Sequence, residues 1–242
     1  MLDFGYYNMD CMEGMKEFPD KYFELAIVDP PYGSANNEDW DYKDRGRFGH
    51  GIFAKYKIER TGGGYAQKYG DKINHWDIAP DEEYFKELFR VSRNQIIWGG
   101  NYFSLPPTRC FVIWRKLTIS EAFSMAMCEY GWTSFNSNAK WIEIAPQGNA
   151  NEKRFHPTQK PIKLYEWLLN NYANKGDKIL DTHVGSASSL IACHNLGFQY
   201  VGFEIDKDYY DQSLERLNRY KSQISLMDIV PKEDNKQIGM EV

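Results

Sequence analysis

The chain has 242 residues, of which 42% are hydrophobic and 16% aromatic, enough for the core of one sizeable domain, and this excludes a globally disordered chain. Its formal net charge of −5 by itself disfavours a polyanion as partner. No segment approaches the length of a membrane span and the N-terminus lacks the basic and apolar regions of a signal peptide, so we expect a cytoplasmic protein without membrane contact.

The first third of the chain predicts two strands followed by a long loop. A short strand is expected near Tyr6–Met9, and the apolar run Phe23–Val28 is typical of a buried strand that Pro30 and Pro31 terminate. Residues 33–75 are rich in Gly, Asn, Asp, Lys and Tyr and show no periodicity. We therefore predict a loop there, and loops of this length in a compact domain are usually functional or disordered.

The charge of the chain is unevenly distributed, and its positive part lies in this loop. Between Lys43 and Lys72 there are eight basic and three acidic residues, so that segment carries +5 and the rest of the chain −10. Phosphate binding depends on local potential, so the segment is compatible with nucleic-acid contact. A solvated loop without a partner is the alternative that charge alone does not exclude. The candidate contacts are Arg45, Arg47, Lys55 and Lys57.

From Pro80 onward, segments typical of strands and helices alternate. Helices are predicted over residues 81–91, 161–173, 186–196 and 207–221, and strands over 94–98, 110–114, 140–145, 178–181 and 200–203. This alternation predicts an α/β fold in which helices cover both faces of a parallel or mixed sheet. The residues from about Ser225 onward are expected to form a loosely held tail.

The turn Asp29-Pro30-Pro31-Tyr32, directly after a predicted strand, has unusual chemistry. The exocyclic amine of a nucleobase is a poor nucleophile because its lone pair is delocalised into the ring, and two acceptors that hold its hydrogens direct the lone pair at an electrophile. The Asp29 carboxylate and the Pro30 carbonyl can be those acceptors, and the Tyr32 ring can stack on an extruded base. A rigid turn with a surface tyrosine is the alternative.

Residues 178–189 contain a second strand end. Their sequence predicts a strand, then a turn rich in Gly and Ser, then the N-terminus of a helix. Gly185 lets the backbone approach a ligand, and the Asp181 carboxylate can accept a hydrogen bond from a cationic ammonium. About twenty residues further on, the strand Tyr200–Phe203 ends in Glu204, where a carboxylate suits ribose hydroxyls. An ordinary strand–helix turn explains the glycine and the first acid as well, and the spacing to Glu204 favours a ligand site.

The segment His156-Pro157-Thr158-Gln159-Lys160-Pro161 precedes a predicted helix, and its residues alone indicate a proline-rich helix entry. No His, Cys or acidic residue recurs at the spacing of a metal site, so no metal is expected. The four cysteines form no Cys-x-x-Cys pair and are expected to be reduced structural thiols.

Taken in chain order, these motifs resemble the DNA N6-adenine and N4-cytosine amino-methyltransferases in the circularly permuted arrangement called the β class. The similarity covers nearly the whole chain, and the catalytic motif precedes the cofactor turn, as in that permuted order. The matching segments are Asn8-Met9-Asp10-Cys11, Asp29-Pro30-Pro31-Tyr32, Trp98-Gly99-Gly100-Asn101-Tyr102-Phe103, His156 to Pro161, Asp181 with Gly185, and Gly202-Phe203-Glu204.

The resemblance implies a Rossmann-like methyltransferase fold: a mixed, mainly parallel seven-stranded sheet with helices on both faces, in a single domain spanning residues 1–242. It implies S-adenosylmethionine (SAM) as cofactor, with the adenine near Asp10 and Cys11. The implied catalytic residues are Asp29, Pro30 and Tyr32. The residues implied to bind SAM are Asp10, Cys11, Asp29, His156, Thr158, Lys160, Asp181, Gly185, Ser186 and Glu204, of which His156, Thr158 and Lys160 would lie by the methionine end.

The chain departs from the family pattern at the cofactor turn and in one later segment. The family usually has Pro-Phe after its first aspartate, where this chain has Thr182 and His183, and it usually has glycine at the position of Ala187. Members often carry a large target-recognition insert in the region of residues 115–155, which is short here. Recognition of the DNA sequence is therefore expected to depend on that segment together with the 33–75 loop.

The activity that the resemblance implies is methylation of a base in a specific sequence of double-stranded DNA, after the base is flipped out of the helix. Asp29 stands where cytosine-N4 enzymes more often have Ser, which favours the N6 amino group of adenine. A cytosine-N4 or RNA adenine-N6 methyltransferase is the alternative enzyme. An inactive SAM-fold protein that binds DNA is the alternative from another class, and a homodimer is also compatible with the sequence.

Overall fold

The computed structural model describes residues 1–33, 78–121, 126–147 and 154–223. The strands of these residues are β1 (Gly5–Asn8), β2 (Phe23–Val28), β3 (Ser92–Trp98), β4 (Phe111–Lys116), β5 (Cys128–Thr133), β6 (Lys140–Ile144), β7 (Lys178–Asp181) and β8 (Gln199–Glu204). The α-helices are α1 (Cys11–Lys16), α2 (Glu82–Val91), α3 (Ile162–Tyr172), α4 (Ser188–Leu196) and α5 (Lys207–Lys221), and a 3₁₀ turn covers Gly100–Tyr102.

The strands form one mixed sheet in the order β1-β8-β7-β2-β3-β5-β4-β6. All its pairs are parallel except those that β5 makes with β3 and β4, which confirms the predicted mainly parallel α/β class. The sheet of the described residues has eight strands where the resemblance implied seven. Strand β6, predicted over residues 140–145, pairs in parallel with β4 and forms one edge of the sheet.

The central strands are buried on both faces of the sheet, and their alternate side chains point to opposite faces. In β2, Leu25 and Ile27 pack with α3, α4 and α5, whereas Ala26 and Val28 pack with α1 and α2. Helices therefore cover both faces, as predicted. Burial on both sides explains why β2 is a continuous apolar run instead of an alternating one.

Three helices begin later than the sequence predicts, and one strand was not predicted. The helix expected from Asp81 begins at Glu82, with Asp81 as its N-cap residue. The helix expected from Pro161 begins at Ile162, with Pro161 as an extended N-cap residue. The helix expected from Ser186 begins at Ser188, because the preceding residue is left-handed. The unpredicted strand is β5, whose sequence Cys-Glu-Tyr-Gly-Trp-Thr has no clear apolar pattern and which is held by pairing on both sides.

The topology brings distant segments to one edge of the sheet. Strands β1, β8, β7, β2 and β3 are mutually parallel, so their carboxyl ends lie along the same edge. Strand β5 is antiparallel to β3 and to β4, so the start of β5 and the end of β4 lie at this edge as well. In α/β sheets this is the edge at which ligands bind.

Parts of the predicted functional segments lie outside the described residues. These parts include most of the 33–75 loop with Arg45, Arg47, Lys55 and Lys57, the tail from about Ser225, and residues 122–125 and 148–153 of the 115–155 segment. The described part of that segment consists largely of the end of β4 and of β5 and β6. Within the described ranges, no helix is both long and apolar enough to cross a bilayer.

Candidate active site

Asp29 directly follows β2, and both of its carboxylate oxygens have partners. Oδ1 accepts a hydrogen bond of 2.8 Å from the Tyr32 hydroxyl, and Oδ2 contacts the ammonium of Lys160. The side chains of Asp29 and Lys160 are 13% and 4% exposed. Burial raises the pKa of Asp29, and the Lys160 ammonium opposes that shift by favouring the carboxylate. The pair therefore presents an acceptor in a place with little water.

The ring of Tyr32 is enclosed by aromatic side chains and a glycine. It stacks on Tyr102 with 4.8 Å between ring centroids, and the Phe103 ring meets it edge-on at 6.2 Å. Gly99, just after β3, has a φ of +67°, and a Cβ at this position would lie 2.2 Å from Cε1 of Tyr32. Glycine is required here both by the backbone and by the closeness of the ring.

Asp181, the last residue of β7, is buried below the turn that leads into α4. Its Oδ1 accepts from the backbone N–H of His183 at 3.0 Å, and its Oδ2 accepts from the Ser189 hydroxyl. Burial raises the pKa of Asp181 to about 7. A carboxylate with a pKa near neutrality is stabilised in its charged form when a cation binds beside it.

Glu204, the last residue of β8, connects this turn to the end of β1. Its Oε2 accepts from the Gly185 N–H at 2.8 Å and its Oε1 from the Asp206 N–H at 2.9 Å. Each carboxylate oxygen has a second lone pair, so both remain able to accept from hydroxyl groups. The main-chain carbonyl of Glu204 accepts from the Asn8 side chain at 2.8 Å and from the Met9 N–H at 3.1 Å.

Asp10 and Cys11 follow Met9 and therefore lie beside Glu204. Asp10 is the N-cap residue of α1, and its carboxylate accepts from the Met12 N–H at 2.8 Å. Burial raises the pKa of the Cys11 thiol to about 12, so this thiol is neutral. The two residues offer a polar acceptor and an uncharged surface next to each other.

The segment before α3 reaches both halves of the site. The His156 ring meets Tyr209 edge-on at 4.4 Å, and a Cβ at Gly185 would lie 3.1 Å from its Cε1. Burial lowers the pKa of His156 to about 3, so the ring is neutral. Thr158 stays next to His156, with Oγ1 3.2 Å from Nδ1, whereas Lys160 extends to the carboxylate at the end of β2.

The turn between β7 and α4 is supported from α5 by Arg216, which the sequence did not point to. This buried guanidinium donates to the Ser186 carbonyl at 2.6 Å and to the Ser188 hydroxyl at 2.9 Å. An arginine on the apolar face of a helix, next to the buried Leu217, was the one signal for this role. Ala187 has a φ of 61°, a left-handed conformation that is unfavourable by about 1–2 kcal/mol for a residue with a Cβ.

Thr182 and His183 occupy the positions where the family usually has Pro-Phe. The Thr182 hydroxyl lies 2.6 Å from the Tyr84 hydroxyl and 2.9 Å from Nδ1 of His183. The His183 ring meets Tyr84 edge-on at 5.3 Å, and burial lowers its pKa to about 4. The neutral imidazole therefore packs as an aromatic ring would, which explains how the departure is accommodated.

Two charged residues that no sequence motif marked complete the site next to Lys160. Glu129, near the start of β5, has Oε2 3.2 Å from Nζ of Lys160 and Oε1 2.6 Å from Nζ of Lys116. Lys116 is the last residue of β4, and its side chain is 7% exposed. Within the described residues, no group of three or more His, Cys, Asp or Glu side chains is arranged to hold a metal ion.

Comparison with known proteins identifies relatives of the chain. The profile of the N6/N4 methyltransferase family, described as DNA methylase, matches residues 67–215. The YubD protein of Escherichia coli (strain K12) is 31% identical over 226 residues, which are 86% of this chain and 87% of that protein. Type II methyltransferase M.HpaI of Haemophilus parainfluenzae is 41% identical over 70 residues, 29% of this chain, and the matching region spans only 22% of that relative.

A solved structure shares the fold. TTHA0409 of Thermus thermophilus, in complex with S-adenosyl-L-methionine, aligns with a TM-score of 0.53 at 17% identity. The alignment covers 90% of this chain and 96% of that chain, so the similarity extends over the sheet and its helices.

Proposed function

Because the chain belongs to the N6/N4 family of DNA methylases, we propose that it transfers a methyl group from SAM to the N6 amino group of adenine in a specific DNA sequence. One observation carries the proposal. Asp29 and Tyr32 follow β2, and Asp181 ends the adjacent parallel strand β7. An acceptor for a target amine and an acceptor for a cationic cofactor are thus on neighbouring strands, at the same edge of the sheet.

The residues at the ends of β7, β8 and β1 fit SAM. Asp181 is a buried carboxylate whose charged form is favoured by a cation, which suits the ammonium of the methionine part. Glu204 has lone pairs left for the ribose hydroxyls, and Asp10 and Cys11 beside it would meet the adenine. Gly185, with a φ of +53°, keeps the turn free of a side chain that would press on His156 and narrow the site.

The chain contributes acceptors and a fixed geometry to the reaction. SAM, when bound, supplies an electrophilic methyl group on a sulfonium centre. The Asp29 carboxylate and the Pro30 carbonyl accept the two hydrogens of the target amine, which directs its lone pair out of the ring plane. The hydroxyl of Tyr32 and the ammonium of Lys160 hold the carboxylate in place. Once the nitrogen carries the methyl group it must lose a proton, and Asp29 is the base that contacts it.

The target base must leave the duplex to reach these acceptors, because its amino group is inaccessible inside the helix. Tyr32 supplies an aromatic plane for the extruded base, and each base stacked on such a plane gains about 1–3 kcal/mol. Contacts to the DNA backbone are proposed for Arg45, Arg47, Lys55 and Lys57. Recognition of the sequence is proposed for the 115–155 segment.

The carboxylate at position 29 supports adenine as the target. The alternatives are the N4 amino group of cytosine and the N6 amino group of adenine in RNA, since both reactions need the same arrangement of acceptors. An inactive DNA-binding protein is disfavoured, because the contacts of Asp29 with Tyr32 and Lys160 are those of an intact acceptor site.

The proposal is tested by sequencing DNA from methylase-deficient cells that express either the wild type or Asp29→Ala. The readout must distinguish N6-methyladenine from N4-methylcytosine. The wild type is expected to give N6-methyladenine in one sequence motif, and Asp29→Ala none, while calorimetry shows SAM bound by both proteins. N4-methylcytosine would select the cytosine alternative. Unmodified DNA with intact SAM binding would contradict the proposed substrate, and equal methylation by Asp29→Ala would contradict the role of Asp29.

A further inference from the structure

Four charged side chains of alternating sign form a continuous row that ends at the proposed acceptor. Nζ of Lys116 lies 2.6 Å from Oε1 of Glu129, and Oε2 of Glu129 lies 3.2 Å from Nζ of Lys160, which contacts Asp29. The four residues come from the end of β4, the start of β5, the segment before α3 and the end of β2. They meet because these segments share one edge of the sheet.

The row is largely shielded from water. The side chains of Lys160 and Lys116 are 4% and 7% exposed, and those of Asp29 and Glu129 are 13% and 22% exposed. Buried charges are tolerated when they are paired, and here each ammonium has a carboxylate partner. The Trp98 ring, with its centroid 5.6 Å from Nζ of Lys160, closes another side of that ammonium.

The ammonium of Lys160 is shared between two carboxylates. It contacts Oδ2 of Asp29 and forms an ion pair with Oε2 of Glu129, which makes no well-aligned hydrogen bond. An ammonium that faced Asp29 alone would neutralise this carboxylate more strongly and make it a weaker acceptor for a third donor. Because Glu129 also pairs with the Lys160 ammonium, the attraction between this ammonium and Asp29 is weaker than in an isolated pair. Lys116 pairs with Glu129 as well and so weakens the attraction of Glu129 for Lys160.

We propose that Glu129, held by Lys116, is a positioning residue that shares the Lys160 ammonium with Asp29 and so keeps the Asp29 carboxylate able to accept a hydrogen of the target amine. This inference rests on the proposed function, because it assigns the target amine to Asp29. Glu129 acts through Lys160 and needs no contact with SAM or with DNA.

The electrostatics of the row agree with this role. Burial alone would lower the pKa of Lys160, but Asp29 and Glu129 raise it above its ordinary value. Burial alone would raise the pKa of Glu129, but Lys160 and Lys116 bring it below its ordinary value. Both residues are therefore charged at neutral pH. Within the described residues, the titratable groups that interact electrostatically with Asp29 are Lys160, Glu129, Tyr32, Tyr165, Asp181 and Tyr84.

Substitutions of Glu129 and of Lys116 are expected to shift the pKa of Asp29 in opposite directions. Glu129→Gln removes a negative charge and leaves Lys160 to Asp29, so Asp29 should titrate at a lower pH. Lys116→Met removes a positive charge from the other side of Glu129, so Asp29 should titrate at a higher pH. A purely structural defect would not produce opposite shifts from two neighbouring substitutions.

The first measurement is NMR of the ¹³C-labelled aspartate carboxyl groups in the protein without SAM or DNA, with Asp29 assigned through Asp29→Asn. The midpoint of Asp29 is expected to fall by about one pH unit in Glu129→Gln and to rise in Lys116→Met. Glu87→Gln is the matched control, because Glu87 is also paired with a cation, Arg90, and its side chain is 16% exposed. Coincident midpoints in the wild type and Glu129→Gln would overturn the proposal.

The second measurement is the pH profile of single-turnover methylation of unmethylated DNA at saturating SAM. Glu129→Gln is expected to transfer methyl groups about ten-fold more slowly at neutral pH, to move the acid limb to lower pH, and to leave SAM affinity unchanged. If circular dichroism shows that Glu129→Gln is poorly folded, Glu129→Asp is used instead. This variant keeps the negative charge, so the acid limb of its pH profile should match that of the wild type. A shifted acid limb in Glu129→Asp would count against the proposal. A wild type that methylates no DNA would contradict the proposed function, whereas the NMR titration still decides whether Glu129 acts on Asp29.

Discussion

The ring of Tyr102 lies on the ring of Tyr32, with 4.8 Å between centroids and 18° between planes. Two rings at this separation leave no space for a base between them. Tyr32 directly follows the turn after β2 and has intermediate exposure, and Tyr102, in the 3₁₀ turn, is the more exposed of the two rings at 44%. We infer that Tyr102 is the ring that moves when a base reaches Tyr32.

Substitution of the two tyrosines is therefore expected to have opposite effects on base capture. Tyr102→Ala should strengthen capture, because it removes a ring pair worth about 0.5–1.5 kcal/mol. Tyr32→Ala should weaken capture by about 1–3 kcal/mol per base. The measurement is the emission of a fluorescent base analogue that replaces the target base in an unmethylated duplex. The duplex carries the sequence motif that the protein methylates. Weaker capture by Tyr102→Ala would indicate that this ring holds the base instead of yielding to it.

Gly99→Ala is expected to reduce methyl transfer by about 100-fold while SAM affinity is retained, because the new Cβ displaces the Tyr32 ring. Gly197→Ala is the matched control. Gly197 also has a positive φ, +74°, but a Cβ there would have no atom within 4 Å. Both substitutions should lower stability by about 1–2 kcal/mol through backbone strain. Equal methyl-transfer rates for Gly99→Ala and Gly197→Ala would show that the placement of the Tyr32 ring does not matter for methyl transfer.

Glu204→Gln is expected to weaken SAM binding by about 1–3 kcal/mol, because a charged acceptor is replaced by a neutral one. The dissociation constant is measured by calorimetry. Glu215→Gln, an exposed position on α5, serves as the control for the substitution itself. An unchanged SAM dissociation constant in Glu204→Gln would move the ribose contact to another residue.

SAM affinity is expected to rise with pH between about 5.5 and 7.5. Burial raises the pKa of Asp181 to about 7, so the carboxylate is increasingly protonated below that pH and pairs less well with the SAM ammonium. One pH unit below the pKa, affinity should be about ten-fold lower. Calorimetry on Asp181→Asn should show weaker SAM binding, with an affinity that changes less with pH over the same range. A parallel pH dependence in Asp181→Asn would assign the effect to another group.

The same raised pKa has a consequence for stability without SAM. Because the folded state holds the Asp181 proton more tightly than the unfolded chain, ionisation of Asp181 lowers the stability of the free protein as pH rises from about 4 to 7. The melting temperature of Asp181→Asn should therefore increasingly exceed that of the wild type as pH rises across this range. The divergence should shrink when SAM is added to the wild type.

Replacement of Arg45, Arg47, Lys55 and Lys57 by Ala is expected to weaken binding to all DNA sequences. Each lost phosphate contact should reduce the slope of log affinity against log salt by about 0.9, while SAM affinity is unchanged. The control removes an equal charge from four exposed positions on the helices and turns of the body: Lys16, Lys86, Lys175 and Arg219. Identical salt slopes for the two quadruple variants would place DNA contact elsewhere, and the 115–155 segment would be examined next.

The chemistry at the strand ends was predictable from short segments of sequence. The apolar run Phe23–Val28 and the following prolines predicted the strand and its end, and the structure has β2 with those bounds. Asp29, Asp181 and Glu204 were each predicted at the end of a strand, and each is found there. Such predictions succeed because apolar periodicity and proline act over a few neighbouring residues.

The roles of Lys160, Glu129 and Lys116 depended on the tertiary structure. The family resemblance implied that Lys160 lies by the methionine end of SAM, and the folded chain adds a contact with Asp29, 131 residues earlier, that the sequence did not predict. Glu129 and Lys116 lie in no motif, and β5 has no clear apolar pattern. They become neighbours of Asp29 because β5 runs antiparallel to β3 and β4, and strand direction is decided by pairing between distant segments, not by local sequence.

The sequence by itself determined the family resemblance, the succession of strands and helices apart from β5, and the acceptors at the ends of β2, β7 and β8. Each of these depends on residues that are close together in the chain. Only the tertiary structure decided which charges face one another and which ring covers Tyr32. Burial and pairing set those relationships, since a carboxylate's pKa and an ammonium's partner depend on every element packed around them.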